Sequence, residues 1–348
     1  MVHLKNVEQR RKRVNARAAA EPVNFFKLTG SRPNASAVTA REIDAWLFSC
    51  NAAVLLPILR TAQSKEDSMN PRTVKRTVRG QNAVDGAGVR LVRVVGHRDV
   101  KDFDPFLLLD AFDSTNPDDY VRGFPLHPHR GIETITYLAE GLIEHEDSLG
   151  NKGAIRSGDC QWMTAGRGIL HQEMPKPSPR MLGLQFWLNL SQARKMVPPK
   201  YRDITAAGLP VVHEPGAVIR IIAGDYKGKT GTVMPDHTPA RLIDLRLEPG
   251  ATWEWPLPPD DTAFIYILAG SVYAAGEPEE HGSHQALLFG EGDGLRLKAG
   301  ATGALLVAVC GTPLREPVAW GGPIVMNTDD ELRQAFQELE DGTFISRE

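Results

Sequence analysis

Two tripeptides in this chain each place metal-binding side chains two positions apart: His127-Pro128-His129 and His171-Gln172-Glu173. In a β-strand, residues i and i+2 point to the same face, so each tripeptide directs two side chains at one place. Together they offer three imidazoles and one carboxylate. This set suits a divalent first-row transition ion and leaves coordination positions open for a substrate.

The two tripeptides lie far apart in the sequence, so we expect them on different strands that face one another across the interior of a closed sheet. Fe(II) is the first choice of ion, with Mn, Ni, Cu and Zn as alternatives. A closed structural zinc site is disfavoured because it usually contains cysteine, and none is nearby. The competing interpretation is a set of core or surface histidines that bind nothing.

Two further residues compete for a place at this site. Glu133 has the strand parity of the first histidine pair, but it lies four positions past His129, about 13 Å along a straight strand at roughly 3.3 Å per residue. Only a bend at Gly131 would bring it close, so Glu173 is the preferred carboxylate and Glu133 is expected to have a supporting role. His145 is expected on a solvated hairpin, with an approach to the site as the alternative.

The composition is that of an ordinary globular protein. Its 348 residues suffice for two domains of about 100–200 residues each. The formal net charge of -3 provides no general attraction to nucleic acid. Three cysteines without CxxC spacing are expected to be buried or idle thiols in a reducing compartment. No apolar run reaches the roughly 20 residues of a membrane helix, and no secretory signal is evident, so a cytoplasmic location is predicted.

The pattern of turns and alternating residues predicts a β-rich chain with strands at Val89–Val95, Ile132–Leu138 and Leu184–Leu190. The chain is expected to end in a short helix, and Lys195–Tyr201 is interpreted as a linker. The basic start around Arg10–Arg13 is expected to be poorly ordered, with a targeting or nucleic-acid-binding arm as the alternative. We therefore predict three segments: 1–72, an N-terminal extension; 73–200, a domain with the metal site; and 201–348, a domain without metal that closes on a helix capped by Thr328.

Turn glycines recur in the two halves with similar spacing, which predicts a duplicated barrel. Gly158 and Gly166 match Gly292 and Gly300 in this interpretation, and Gly141 matches Gly270. Counting from these glycines gives the four corresponding residues of the second half: Pro256 and Pro258 for the first histidine pair, and Leu305 and Val307 for His171 and Glu173. None of the four has a metal-binding side chain, so we expect an apolar, metal-free second barrel.

Several longer motifs resemble the pirin family of bicupins. The matching stretches are His127–Gly131, Glu144–Ser148, Gly158–His171 with its QWMTAGRGI string, Glu173–Pro175, Lys195–Pro199, Gly290–Asp293, Leu314–Pro317 and Gly322–Thr328. The resemblance covers about residues 75 to 348. It implies two tandem cupin (jelly-roll β-barrel) domains, with one metal in the first held by His127, His129, His171 and Glu173, and an inert second barrel.

The resemblance also implies a function. Pirin-like proteins are linked to quercetin 2,3-dioxygenase chemistry, in which O2 opens a flavonol ring and carbon monoxide is lost. We expect the metal to lower the pKa of the flavonol 3-hydroxyl. Glu173 is the candidate general base. Trp162, Met163 and Phe186 are candidates for an apolar wall against a flat ligand, with plain core as the competing interpretation.

The alternative function is a non-catalytic metal- and redox-sensing regulator that binds a protein partner. The chain has no nucleic-acid-binding motif outside its basic start, so a protein is the expected partner rather than DNA. A small-molecule cupin such as a sugar isomerase ranks lower. An assay of flavonol loss in air would separate the first two hypotheses.

Overall fold

The computed structural model describes residues 69–345. The predictions for the segment around Arg10–Arg13 and for Cys50 fall on residues outside this range. Alternating and β-branched stretches form strands as expected: Val89–Val95, Ile132–Glu140 and Met181–Asn189 are all strands. The all-β prediction is confirmed.

The first half consists of a seven-stranded and a four-stranded antiparallel sheet. In spatial order, the larger sheet contains β12 (Lys200–Ile204), β9 (Cys160–Thr164), β6 (Ile132–Glu140), β11 (Met181–Asn189), β4 (Phe106–Ser114), β3 (Val89–Val95) and β2 (Gln81–Asp85). The smaller sheet contains β5 (Phe124–His129), β10 (Ile169–Pro175), β7 (Leu142–Asp147) and β8 (Lys152–Arg156). A short helix, α1 (Val100–Phe103), precedes β4.

The second half is built on one nine-stranded sheet. Its main path runs through β1 (Val74–Val78), β21 (Gln285–Phe289), β19 (Thr262–Ala274), β22 (Gly294–Gly311), β17 (Ala240–Leu247), β14 (Ala217–Ala223) and β13 (Val211–Glu214). Two strands pair beside this path, β18 (Thr252–Pro256) with β22 and β20 (Glu280–Gly282) with β19. Two small hairpins are formed by β15 (Asp225–Tyr226) with β16 (Lys229–Thr230), and by β23 (Ala319–Gly321) with β24 (Ile324–Met326).

The two sheets of the first half enclose a mixed interior. Apolar side chains from both sheets pack together at one end, among them Phe112 and Leu138 from the larger sheet and Ile143 and Ile155 from the smaller one. The β6–β7 connection turns at Gly141, as predicted, with a φ of 125° that favours glycine. The hairpin places β7 beside β10. Side-chain hydrogen bonds from β6 and β11 to β10 show that β10 faces the larger sheet.

Strand pairing shows which elements of the two halves correspond. β5 pairs with β10 in the first half, and β18 pairs with the first part of β22 in the second. Leu305 and Val307 lie farther along β22, where it pairs with β17, as β11 pairs with β4. The predicted equivalence of these residues with His171 and Glu173 is therefore wrong, because glycine counting joined glycines from different turns.

The strands that do correspond to β5 and β10 have apolar inward faces. Trp253 pairs with Leu297 and Trp255 with Leu295, and all four side chains are buried in one hydrophobic cluster. Aromatic and aliphatic side chains thus fill the part of the second half where the first half has histidines.

The two halves exchange edge strands. β1 precedes the first half in the sequence but pairs with β21 of the second sheet. β12, near the predicted boundary at residue 200, pairs with β9 of the first half. The predicted linker is wrong at Lys195, which is 2% exposed and donates from Nζ to the carbonyl of Gly131 (2.8 Å) and to Oδ1 of Asn189 (2.5 Å). This segment is anchored to the first half.

The chain closes on α2 (Asp329–Glu340), which begins as predicted. The Thr328 side chain accepts from the amide of Glu331, and the Glu331 side chain accepts from the amide of Thr328, which satisfies two free donors of the first turn. Within residues 69–345, no helix has the length and apolar character needed to span a membrane. The two cysteines in this range, Cys160 and Cys310, are buried and free, as expected.

Candidate metal centre

The two ligand tripeptides lie on neighbouring strands rather than on opposite walls. β5 and β10 pair antiparallel, with His171 beside His127 and Ile169 beside His129. A register shift between His171 and Glu173 interrupts the ladder. The expectation that the two strands face each other across a closed interior is therefore wrong. The histidine side chains of the two strands nevertheless converge.

The three imidazoles come together. Their ring nitrogens lie within 4.8 Å of one another, and no other group of three metal-binding side chains is found among residues 69–345. The Nε2 atoms of His127 and His129 are 3.1 Å apart. The ring of His171 lies 4.4 Å from that of His127 and 5.0 Å from that of His129, measured between centroids.

Backbone carbonyls determine which nitrogens face the centre. Nδ1 of His127 contacts the carbonyl of Pro125 at 2.9 Å, and Nδ1 of His129 contacts the carbonyl of Pro323 at 3.1 Å. A carbonyl only accepts hydrogen bonds, so each Nδ1 carries the proton and each Nε2 presents a lone pair. Two lone pairs 3.1 Å apart repel each other unless a cation lies between them. This orientation of a ligand by a carbonyl is typical of metal sites.

His171 supplies a second sign of a metal site. The residue is 1% exposed, and neither ring nitrogen has a hydrogen-bond partner among the described residues. Burial, followed by the neighbouring imidazoles, lowers the pKa of His171 well below its usual value. The same causes lower the pKa of His129 to about 3. Both rings are thus neutral at physiological pH, which is the form that binds metals. The donor set fits a divalent transition metal.

Glu173 lies beside this cluster but is engaged elsewhere. Its Oε1 accepts from Oγ1 of Thr136 (3.0 Å), and its Oε2 accepts from Nε2 of Gln185 (2.9 Å). The residue is 3% exposed and lines the same cavity as His127 and His129. In this conformation its carboxylate is not within the group of converging ligand atoms, so its assignment as a fourth ligand stays a prediction.

The two competing residues have other partners. Glu133 is fully buried on β6 and accepts from Oγ1 of Thr164 at 2.5 Å, and burial raises its pKa. His145 is buried rather than solvated, and it stacks on Tyr201 with ring centroids 4.5 Å apart. Neither residue belongs to the converging group. The expectation that His145 lies on a solvated hairpin is wrong because β12 covers it.

A cavity of about 330 Å³ opens beside the histidines, near the lower end of the range for small-molecule sites. Its aromatic wall is formed by Phe124, Trp187 and Trp320. His97 stacks on Trp320 with centroids 3.8 Å apart, and Trp187 lies 5.5 Å from Trp320.

The aromatic wall differs from the predicted one. Trp162, Met163 and Phe186 are fully buried core residues and do not line the cavity. On β11, Phe186 points into the core that the two halves share, so its neighbour Trp187 points to the opposite face. The sequence did not show which face of β11 is turned towards Glu173, so it could not distinguish Phe186 from Trp187. Trp320 comes from the far end of the chain, and no nearby motif indicated that it would reach the cavity.

The other end of the cavity is polar and was missed in the sequence. Arg93 donates from Nε to Oδ1 of Asp110 (2.9 Å) and from Nη2 to Oδ2 of Asp110 (2.8 Å). Arg93 Nη2 also donates to Asp85 at 2.7 Å. Burial raises the pKa of Asp110 to about 6, against the opposing effect of the Arg93 guanidinium. A run of alternating residues such as β3 gives no sign that one arginine points inward.

Comparison with known proteins places this geometry in a family. A family model described as Pirin matches residues 88–188, and one described as the Pirin C-terminal cupin domain matches residues 242–345. The chain belongs to the pirin family. The resemblance seen in the sequence motifs is confirmed, and so is the fold of two tandem cupin domains.

Pirin-family relatives cover nearly the whole of the described region. Human pirin is 39% identical over 272 residues, which are 77% of this chain and 92% of that protein. A Pseudomonas aeruginosa protein whose name proposes quercetin 2,3-dioxygenase activity is 43% identical over 270 residues, 76% of this chain and 94% of that protein. A crystal structure of quercetin 2,3-dioxygenase from Acinetobacter baumannii is 29% identical, with a TM-score of 0.71, and covers 79% of this chain and 99% of that one.

Proposed function

We propose that this chain is a metal-dependent dioxygenase of the quercetin 2,3-dioxygenase type, which opens a flavonol ring with O2 and releases carbon monoxide. The observation that carries the proposal is a cluster of three imidazoles, two of them with lone pairs 3.1 Å apart, at the wall of an aromatic-lined cavity. The names of a bacterial relative and of a similar solved structure support this substrate class.

In this proposal His127, His129 and His171 hold one divalent ion, Fe(II) by preference, and Glu173 is the fourth ligand or the base. The bound ion would supply positive charge that favours ionisation of the flavonol 3-hydroxyl, together with the redox chemistry needed for O2. The carbonyls of Pro125 and Pro323 keep two of the imidazoles in the metal-binding tautomer.

Glu173 is the residue that accepts the proton of the 3-hydroxyl. Its carboxylate is held by two neutral donors, Thr136 and Gln185, at 3.0 and 2.9 Å. Each carboxylate oxygen accepts one of these bonds and keeps a second lone pair for a proton or the ion. The general base therefore stays positioned in the cavity before the substrate arrives.

The aromatic wall holds the flat ring system. Trp187 and Trp320 line the cavity, and so does Phe124, which lies on the same strand as His127 and His129. Their apolar faces would displace water from the bound flavonol, which strengthens the charge interactions in the site. A planar aromatic substrate fits this arrangement better than a sugar would.

The test is to load the protein anaerobically with Fe(II), add quercetin and then air, and follow the loss of flavonol absorbance together with release of carbon monoxide. We expect turnover that His127→Ala abolishes and that Glu173→Gln lowers by at least about a hundredfold, the usual range for a general base. The exposed His213 provides a control, because His213→Ala should leave turnover unchanged.

Absence of turnover with Fe, Mn, Ni, Cu and Co, in protein that binds one equivalent of metal, would contradict the proposal. It would favour the non-catalytic regulator instead.

A further inference from the structure

The polar end of the cavity has no role in the chemistry described so far. Asp85, Arg93 and Asp110 line the same 330 Å³ cavity as His127 and Glu173. Asp110 is 4% exposed and lies at the wall of the aromatic cavity, where its carboxylate can contact a bound ligand as well as Arg93. A buried charged group that faces a binding cavity is a candidate for ligand recognition.

The geometry leaves both hydrogen-bond acceptors and donors free. Arg93 holds Asp110 with two parallel hydrogen bonds of 2.9 and 2.8 Å, so each carboxylate oxygen keeps a lone pair for a second donor. The other terminal nitrogen of Arg93, Nη1, makes no hydrogen bond to any residue in the described range, so its two N–H groups are available. Bonding through Nε and Nη2 places Nη1 on the opposite edge of the guanidinium from Asp110, so the acceptors that lie side by side are the two carboxylate oxygens of Asp110. They match two neighbouring hydroxyl groups that both donate.

Charge narrows the class of ligand. Two carboxylates, Asp85 and Asp110, surround the single guanidinium of Arg93. Above the pKa of Asp110, this end of the cavity therefore has a net negative charge. It repels carboxylates and phosphates and favours neutral groups that donate hydrogen bonds.

Strand order gives the distance between this end and the base. Arg93 on β3 pairs with Asp110 on β4, and Asp110 pairs with Gln185 on β11, which binds Glu173. Two strand spacings make about 10 Å between Arg93 and Gln185. A rigid molecule of two or three rings is long enough to reach both ends.

We propose that Asp110 and Arg93 form a subsite for a vicinal dihydroxyl group on the ring of the substrate farthest from Glu173. The proposal rests on the proposed function for the class of ring system and names the part of the substrate that is recognised. Both catechol hydroxyls donate to the carboxylate of Asp110, which Arg93 holds in place from its other side. Flavonols with a catechol ring are then preferred over those with an unsubstituted ring.

The experiment measures binding without turnover. Iron-loaded protein is titrated anaerobically by calorimetry with quercetin, which has a catechol ring, and with galangin, in which that ring has no hydroxyl. A hydrogen bond to a charged group predicts that quercetin binds at least about tenfold more tightly. Asp110→Asn should remove most of this advantage and leave the affinity for galangin within about twofold, because only the hydroxyl contact is lost.

Asp244 provides a matched control. It is fully buried and bonded to Arg220, with Nε and Oδ2 2.5 Å apart, but lies outside the cavity. Asp244→Asn should lower stability and keep the ratio of the two affinities. If Asp110→Asn does not fold, Arg93→Lys serves instead and should also narrow the ratio, because lysine lacks the planar donor pair.

Equal affinities for the two flavonols in the unmodified protein would overturn the subsite. So would a loss of affinity in Asp110→Asn that is the same for both. Failure of the proposed function gives a different result, namely normal anaerobic binding followed by no turnover when O2 is admitted.

Discussion

His171 is buried in a way that suits a metal and harms the metal-free fold. Both of its ring nitrogens lack partners among the described residues, and the residue is 1% exposed. An unpaired buried polar group costs about 1–3 kcal/mol. A bound metal offsets this cost, so the same side chain is a liability without the ion and an anchor with it.

This leads to a prediction for His171→Leu. In metal-free protein, the free energy of unfolding measured with urea should stay the same or rise by about 1–2 kcal/mol, because the unpaired nitrogens are replaced by apolar atoms. Stoichiometric metal binding should be lost in the same variant. A decrease of more than about 2 kcal/mol in the metal-free protein would show that the imidazole has partners that stabilise the fold.

Protonation of the buried imidazoles predicts a loss of stability in acid. The pKa of His129 is lowered to about 3 and that of His171 is also lowered, chiefly by burial. Because the unfolded chain binds these protons near pH 6.5, the contribution is complete above pH 6.5 and is lost as the pH falls towards 3, by up to about 1.4 kcal/mol per pH unit for each ring. Two buried carboxyl groups oppose this, because burial raises the pKa of Asp110 to about 6 and also raises that of Glu133.

The measurement is urea unfolding of metal-free protein at several pH values between 7 and 5. His129→Gln removes one titrating ring, so its stability should fall less steeply with decreasing pH than that of the unmodified protein. Parallel pH profiles for the two proteins would contradict the assignment of a neutral, buried His129.

At the scale of elements, the C-terminal segment is part of the candidate site. The carbonyl of Pro323, between β23 and β24, orients His129. Next to His129, the Arg130 guanidinium donates to the carbonyls of Arg167 (2.6 Å) and Phe344 (3.1 Å) and pairs with Glu338 of α2 at 2.7 Å. The end of the second cupin domain therefore holds a candidate ligand of the first.

Arg130→Ala tests this coupling. The change removes the guanidinium that donates to the carbonyls of Arg167 and Phe344 and contacts the Phe344 ring, so we expect a loss of about 3–5 kcal/mol. Metal affinity should fall about 10–100-fold, as for other residues that orient ligands. Glu338→Gln is the control, because its side chain is 27% exposed and the carbonyl contacts of Arg130 remain. An unchanged metal affinity in Arg130→Ala would show that the contacts of Arg130 with α2 do not affect metal binding.

Gly131 tests the same junction from the backbone. It has a φ of 78°, and a Cβ there would lie 1.9 Å from the carbonyl oxygen of Val325. Gly131→Ala should therefore cost more than about 3 kcal/mol by urea unfolding. Gly228 has a similar φ of 82° with nothing within 4 Å, so Gly228→Ala should cost only about 1–2 kcal/mol. Equal losses would show that the close approach to Val325 does not matter.

These elements show what the sequence could predict. Alternation and turn glycines predicted β3, β6 and β11, and two-residue spacing predicted the convergence of His127, His129 and His171. Contacts between distant parts of the chain had no such signal. The carbonyl of Pro323 lies 194 residues from His129, and a carbonyl is present at every position. The resemblance to pirins predicted the fold and the candidate ligands from local motifs, but it did not predict such contacts between distant residues.

At the scale of the whole molecule, the two cupin domains share one hydrophobic core. A single cluster includes Phe106, Trp162 and Phe186 from the first and Phe264 and Val309 from the second. Polar contacts cross as well, since the hydroxyl of Tyr137 donates to Asp244 at 2.8 Å. Neither domain can separate without exposing this shared surface to water.

We therefore predict a single cooperative unfolding transition for residues 69–345. Differential scanning calorimetry of metal-free protein should give equal calorimetric and van't Hoff enthalpies. Asp244→Asn should lower the midpoint without splitting the transition. Two resolved transitions would mean that the shared core contributes little compared with the interior of each domain.

The exchanged edge strand affects how the protein is made. β1 leaves the ribosome before all the other strands described here, yet its hydrogen-bonding partner β21 follows only after the whole first domain has been translated. The nascent first domain can complete its own sheets in the meantime, while β1 waits with unpaired amides. Release of the last quarter of the polypeptide is thus the step that shields this early segment from self-association and from chaperones.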